Sequence, residues 1–264
     1  MKPFLRWAGS KAQIIPSIRN FWNSEYKRYV EPFCGSACLF FSIQPKEALL
    51  SDLNEDLICT LLQIQTSVDV IVECLRRMRT DESSYYKIRA IDPLTLSPNE
   101  RAARFIYLNT LCFNGLYRTN LQGMFNVPYG KKNRKNGFDP IVLSEASQVL
   151  STAMIKSSDF ETIVDRTREG DFLYLDPPYA TQSLQIFTEY GKNIFSIKDL
   201  DRLMASIDRA VNRGVKFVLS YIDVPEIEKW KKQWSSIEVE TRRNIAGFSG
   251  ARKKTKELLI SNCR

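Results

Sequence analysis

The chain has 264 residues, 44% apolar and 26% charged, which is ordinary for a globular protein and long enough for a large core with an insertion. Its formal charge is +8, it has no histidine, and its six cysteines include no C-x-x-C pair. These facts exclude imidazole acid–base catalysis, count against zinc sites and disulfide scaffolds, and favour a polyanionic partner.

No run of eighteen apolar residues marks a membrane span, and the start of the chain lacks the apolar stretch of a signal peptide. A cytoplasmic, monomeric protein with reduced thiols and no bound metal is expected.

Residues 1–11 read as a loop leading into a helix over 11–22, with Trp7 and Lys11 near enough to share the loop and the helix start. A packed tryptophan and a surface lysine explain the same pair. From Tyr29 to Phe41 the pattern is a short strand, a small-residue turn at Cys34-Gly35-Ser36-Ala37, and a helix. Such turns let the backbone approach a cofactor closely, though this one is not a G-x-G-x-x-G. A second strand, 48–51, ends at Asp52, an acid placed either to bind a ribose diol or to cap the segment that begins near Asn54.

Residues 54–110 have helical periodicity, and Ser97-Pro98-Asn99-Glu100 is a capping box with proline at the first helical position. From 112 to 130 the composition shifts to Asn, Gly and aromatics around Arg118, followed by the basic run Lys131-Lys132-Asn133-Arg134-Lys135. Amides and aromatics among cations suit base reading with phosphates held alongside, and a structured surface loop remains the plainer alternative.

A strand near 153–156 then leads to Ser158-Asp159-Phe160. A helix from Ser196, a strand at 215–220 and two last strands at 237–242 and 257–262 follow, with the basic loop 246–254 between those two. The fold class is α/β, a parallel sheet interrupted by a mainly helical insert at 55–150.

Phe172-Leu173-Tyr174-Leu175 is a continuous apolar run, the pattern of a strand buried on both faces, and it stops at Asp176-Pro177-Pro178-Tyr179. Ligands in open α/β sheets bind beyond the carboxyl ends of the strands, so Asp176 and Tyr179 should border a cleft. The exocyclic amine of adenine is a poor nucleophile because its lone pair is delocalised into the ring. A carboxylate at Asp176 and the Pro177 carbonyl can each accept one of its N–H groups, localising that pair, and Tyr179 can stack on the extruded base, with a strand ended by a proline turn as the plainer alternative.

The ordered blocks Arg6-Trp7-Ala8-Gly9-Ser10-Lys11, Glu31-Pro32-Phe33-Cys34-Gly35, Ser51-Asp52, Phe113-Asn114-Gly115-Leu116 with Arg118 and Asn120, Phe125-Asn126-Val127-Pro128, and Asp176-Pro177-Pro178-Tyr179 resemble those of Dam-type DNA adenine methyltransferases. The resemblance spans most of the chain. It implies a Rossmann-like, S-adenosylmethionine-dependent methyltransferase sheet formed by 1–54 and 151–264, with 55–150 as a helical target-recognition domain.

It implies further that the substrate is an adenine N6 amine in double-stranded DNA, at GATC. Trp7, Lys11, Glu31, Phe33, Gly35, Asp52, Asp159, Phe160 and Asp176 would bind the cofactor, with Asp52 on the ribose, Lys11 toward the methionine carboxylate, and Asp159-Phe160 at the adenine ring. Asp176, Pro177 and Tyr179 would be catalytic. Arg6, Phe113, Asn114, Leu116, Arg118, Asn120, Asn126 and Pro128 would contact DNA, with Phe113 as an aromatic wedge. Ala37 stands where the family has a second glycine, and its methyl is expected to cost some closeness to the cofactor.

Related motifs serve other amino groups, so another base or RNA is the rival substrate, and a catalytically silent DNA-binding relative is the rival of another class. A cytosine-C5 enzyme would need a Pro-Cys nucleophile, whereas Cys34 follows Phe33.

Overall fold

The computed structural model describes residues 1–7, 9, 11–130, 138–180, 195–242 and 254–263. Five strands run parallel: β1 (Arg28–Glu31), β2 (Ala48–Asp52), β3 (Ala153–Ser157), β4 (Asp171–Leu175) and β5 (Lys216–Ile222). β6 (Ser235–Arg242) and β7 (Lys254–Ser261) complete a seven-stranded sheet ordered β3-β2-β1-β4-β5-β7-β6, with β7 antiparallel to both its neighbours.

The chain winds outward from β1 in one direction to β2 and β3, then returns to add β4 on its other side. This reversal between β1 and β4 is a topological switch point, where the crossover connections diverge and leave a crevice.

The run 172–175 is buried on both faces, as its composition requires. Phe172 and Tyr174 join one core while Leu173 and Leu175 join the other, the two-residue alternation of a pleated strand. The second core holds α7 (Phe160–Val164), α8 (Ile197–Asn212) and α9 (Glu228–Gln233) against the sheet through Ile163, Leu203, Ile207 and Trp230. The first holds α1 (Ile15–Arg19) and α2 (Cys38–Ile43) and continues without a break into the helices between β2 and β3.

Those helices are α3 (Glu55–Arg77), α4 (Glu82–Ala90), α5 (Pro98–Leu111) and α6 (Pro140–Leu150). Asn54, Asp81 and Ser97 cap the first three, and the Ser97–Glu100 box is complete in both directions. Among the described residues α3 is the one helix long and apolar enough to cross a bilayer. Its apolar side instead meets α5, α6 and the sheet through Leu57, Leu61, Ile64 and Ile71.

The structure shortens one expected element: the helix anticipated over 11–22 is confined to α1. Residues 11–14 form a turn whose amides, from Ile14 and Ile15, bond back to the Lys11 carbonyl. It also adds α6, capped by Asp139 and begun at Pro140. The basic run 131–135 and the loop 246–253 lie outside the described residues.

Candidate active site

Three acids converge at the carboxyl edge of three adjacent strands: Asp52 ends β2, Glu31 ends β1, and Asp176 follows β4. Asp52 fastens two turns at once, accepting the Gly35 amide on Oδ2 and the Asn54 amide on Oδ1, each at 3.0 Å. Asn54 supplies the helix cap, taking the Leu57 amide at 3.0 Å, so Asp52 is not the capping residue. Burial pushes the Asp52 carboxyl up, against the pull of the amides at Asn54 and Gly35.

Gly35 has φ of 47°, and a Cβ there would come within 2.7 Å of the Trp7 indole, so glycine is what lets this turn lie against Trp7. Trp7 stacks in turn on Tyr117, with centroids 5.2 Å apart, and the Tyr117 hydroxyl lies beside Asn54. Ala37, where the resembled family has glycine, is left-handed at φ 52° and ψ 40°. Its methyl is fully buried in the core. A non-glycine residue in this conformation carries backbone strain of about 1–2 kcal/mol.

Glu31 is buried and accepts the Tyr29 hydroxyl at 2.9 Å. Burial holds its carboxyl well above the usual range, opposed by that bond and reinforced by Asp176 and Asp52. Asp176 keeps 21% of its side chain exposed at the mouth of the site, with Lys11 Nζ at 3.2 Å. Burial pushes the Asp176 carboxyl up to about 7, Lys11 pulls it down, and the charge of Glu257 raises it.

Lys11 itself is buried and triply engaged. Its ammonium donates to the Tyr179 hydroxyl at 3.0 Å, pairs with Asp176, and pairs most closely with Glu257 of β7. Burial alone would pull the ammonium down, but Asp176, Tyr179 and Glu257 together hold it above its ordinary value. The sequence-derived picture of Lys11 facing a bound carboxylate ligand thus meets a structure in which protein acids already engage it. Pro177 is buried and Pro178 exposed, and the Tyr179 ring meets Tyr221 edge-on at 5.4 Å.

An aromatic shelf borders the same edge. Phe33 stacks on Phe160 at 5.2 Å, and Phe195 meets Phe33 edge-on. The Arg202 guanidinium lies 4.9 Å over Phe160 and binds Asp159 at 2.8 Å and Glu161 at 2.9 Å. Asp159 also caps α7 through the Glu161 amide. Its carboxylate is committed to α7 and α8, so of this expected pair the Phe160 ring is the member that joins the shelf.

The residues expected to meet DNA form one hairpin from 112 to 130, closed by bridges at Cys112–Tyr129 and Thr119–Phe125. Arg118 Nε donates to Asn126 Oδ1 at 2.9 Å, and Asn120 shapes the tip by accepting the Gln122 and Met124 amides. Phe113 (42% exposed), Asn114 and Pro128 are exposed, Leu121 at the tip is 71% exposed, and Leu116 is half-buried.

Arg6 belongs to the same surface. The Asn109 side chain clamps its backbone at 2.9 and 2.8 Å, and its own side chain lies where a Cβ on Gly115 (φ 66°) would sit. Reasoning from the sequence missed Tyr117, Arg202 and Glu257. The first lay inside a quoted motif, and the last was hidden in a charged stretch that reads as solvated. Among the described residues no group of three His, Cys, Asp or Glu side chains could hold a metal ion.

A doubly wound sheet with acids at the carboxyl ends of three adjacent strands and an aromatic shelf beside them has the crevice at which open α/β sheets bind their ligands. The comparisons narrow the class: the chain belongs to the D12 class N6 adenine-specific DNA methyltransferases, a family matched over residues 7–245.

The chain is 33% identical to the Type II methyltransferase M1.LlaDCHI of Lactococcus lactis subsp. cremoris over 99% of its own length and 95% of the relative's. It is 36% identical to the Type II methyltransferase M.MjaIII of Methanocaldococcus jannaschii over 83% and 84%. With the DNA adenine methylase of Escherichia coli K12 it shares 30% identity over 98% and 94%. The protein is an adenine-specific DNA methyltransferase whose substrates are DNA and a methyl donor.

Proposed function

We propose that the donor is S-adenosylmethionine, that the target is an adenine flipped out of a GATC site in duplex DNA, and that Asp176 is the residue on which transfer depends. The observation carrying this reading is the position of the Asp176 carboxylate, partly exposed at the switch point and bordered by Glu31, Asp52 and Lys11.

The donor set fits the cofactor. Each Asp52 oxygen accepts one amide and keeps a second lone pair for a ribose hydroxyl, and the Phe33–Phe160 shelf suits a purine. The three acids outnumber the one buried ammonium beside them, so a cationic ligand relieves their mutual repulsion. S-adenosylmethionine, when bound, supplies a sulfonium methyl already activated for displacement.

The chain's own residues do the rest. Base flipping costs a few kcal/mol. Asp176 and the Pro177 carbonyl accept the two N–H groups of the adenine amine, drawing its lone pair out of the ring, while the Tyr179 ring faces the base. Orienting two reactants in this way contributes on the order of 7–11 kcal/mol. After transfer the nitrogen carries two hydrogens and a methyl group; one N–H bond breaks, its proton going to an Asp176 oxygen. A carboxyl near pKa 7 is matched to that task. Arg118, Phe113 and Arg6 read and open the site from the hairpin surface.

The test is incubation with labelled S-adenosylmethionine and two duplexes that differ only in a GATC site, followed by digestion with a nuclease blocked by adenine methylation there. Label and protection confined to the GATC duplex are expected. Label on both duplexes without protection would reject the site, and label on RNA or on cytosine would reject the substrate.

A further inference from the structure

Two carboxylates compete for one buried ammonium. Lys11 Nζ sits 3.2 Å from Asp176 Oδ1 and closer still to Glu257 Oε1. That same Glu257 oxygen also takes the Tyr179 hydroxyl at 3.2 Å and the Ser220 hydroxyl at 2.8 Å. One atom of β7 thus fixes a cation from the N-terminal segment, a ring from the turn after β4 and a hydroxyl from β5.

An Asp176 in full contact with Lys11 would spend its lone pairs on an ammonium and offer a weak acceptor to a neutral amine. With Glu257 drawing the ammonium aside, Asp176 keeps acceptor capacity toward the crevice.

We propose that Glu257 is a positioning residue for methyl transfer: by holding Lys11 and Tyr179 through one oxygen, it keeps the Asp176 carboxylate loosely paired and available to the adenine amine. This deepens the reading of Asp176 given above and rests on it. The groups facing Asp176 and Lys11 from the surrounding elements are Glu31 of β1, Tyr174 of β4, Tyr179 beyond it and Glu257 of β7, while Tyr29 and Asp52 act on Glu31 and Ser220 of β5 on Glu257.

Glu257→Gln keeps the shape and removes the charge. Lys11 then closes on Asp176, so kcat falls by roughly 10²-fold, the KM for DNA and for donor changes little, and the acid limb of the kcat/KM profile moves to lower pH. Lys11→Met moves that limb the other way, because Asp176 loses its cation. Glu257→Asp retains the charge and returns the limb toward its original position.

In the Lys11→Met background, adding Glu257→Gln should cost little more, since no ammonium remains to be divided. Thermal melting of each variant establishes that it is folded.

An unshifted acid limb in folded Glu257→Gln, or losses that multiply in the double variant, would overturn the role of Glu257. If the wild-type protein methylates DNA and Asp176→Ala does so equally well, the reading of Asp176 fails first, a result separable from any behaviour of Glu257.

Discussion

Asp52 is fixed by two backbone amides and Asp176 lies beside a buried lysine, whereas the 112–130 hairpin, bridged twice across its own strands and tied to α4 through the Val127 carbonyl, presents Phe113 and Leu121 to solvent. The strand-end acids end strands that are buried on both faces, so their positions are set by packing they do not control. Asn120 and Asn126 organise the hairpin tip from inside, while Tyr85 and Arg89 hold its base through the Val127 carbonyl. Rate and cofactor affinity should therefore reside in the first region and sequence discrimination in the second, with the Trp7–Tyr117 stack as the contact between them.

Substitutions can break that division. The largest effect is expected at Asp176: Asp176→Ala should lower methyl transfer by about 10²–10³-fold, the scale for losing one preorganised group at a reacting centre. Lys11 and Glu257 stay paired, so DNA binding should persist in a gel-shift assay. Because the reaction needs Asp176 ionised and burial raises it to about 7, wild-type activity should fall as pH drops through that region. Activity flat to pH 5 would contradict this.

Next comes Asp52→Ala, which should weaken donor binding by about 1.5–3 kcal/mol, roughly tenfold to a hundredfold, in an equilibrium titration. Site preference should not change.

On the other side of the division, Arg118→Ala should relax discrimination at one base pair by about 1–3 kcal/mol in competition binding. A uniform loss across all sequences would mean that Arg118 holds phosphate and that the hairpin does not read bases.

Ala37→Gly should have the smallest effect. Relief of left-handed strain, about 1–2 kcal/mol, is opposed by loss of a buried methyl, about 0.8 kcal/mol, and by glycine's greater chain entropy. Stability should change by about 1 kcal/mol or less, a shift in Tm of about 2–4 °C at most. A fall well beyond that would show that packing of the Ala37 methyl dominates.

What the sequence made legible was local. The four apolar residues before Asp176, the Ser97–Glu100 box and the Ser196 cap each carry their structural cause within a few positions, and each is where it was expected. The helix after Lys11 was overcalled, because apolar spacing cannot register a turn that closes on the Lys11 carbonyl.

The partnership of Lys11 and Glu257 was out of reach for another reason. It spans 246 residues, and Glu257 follows lysines at 253, 254 and 256, so the stretch reads as a solvated basic face. Burial inverts that reading: the side chain that looked like surface decoration lies at the centre of the polar network. The Trp7–Tyr117 stack was hidden similarly, since one partner comes from the N-terminal loop and the other from the insertion.

The antiparallel seventh strand has a consequence for how the protein comes into being. Lys11 is synthesised 246 residues before Glu257, so a growing chain carries the ammonium long before its closest counter-charge exists. If Glu257 positions the site as proposed, competence for methyl transfer waits until β7 has emerged, and a product that terminates before β7 is born without it.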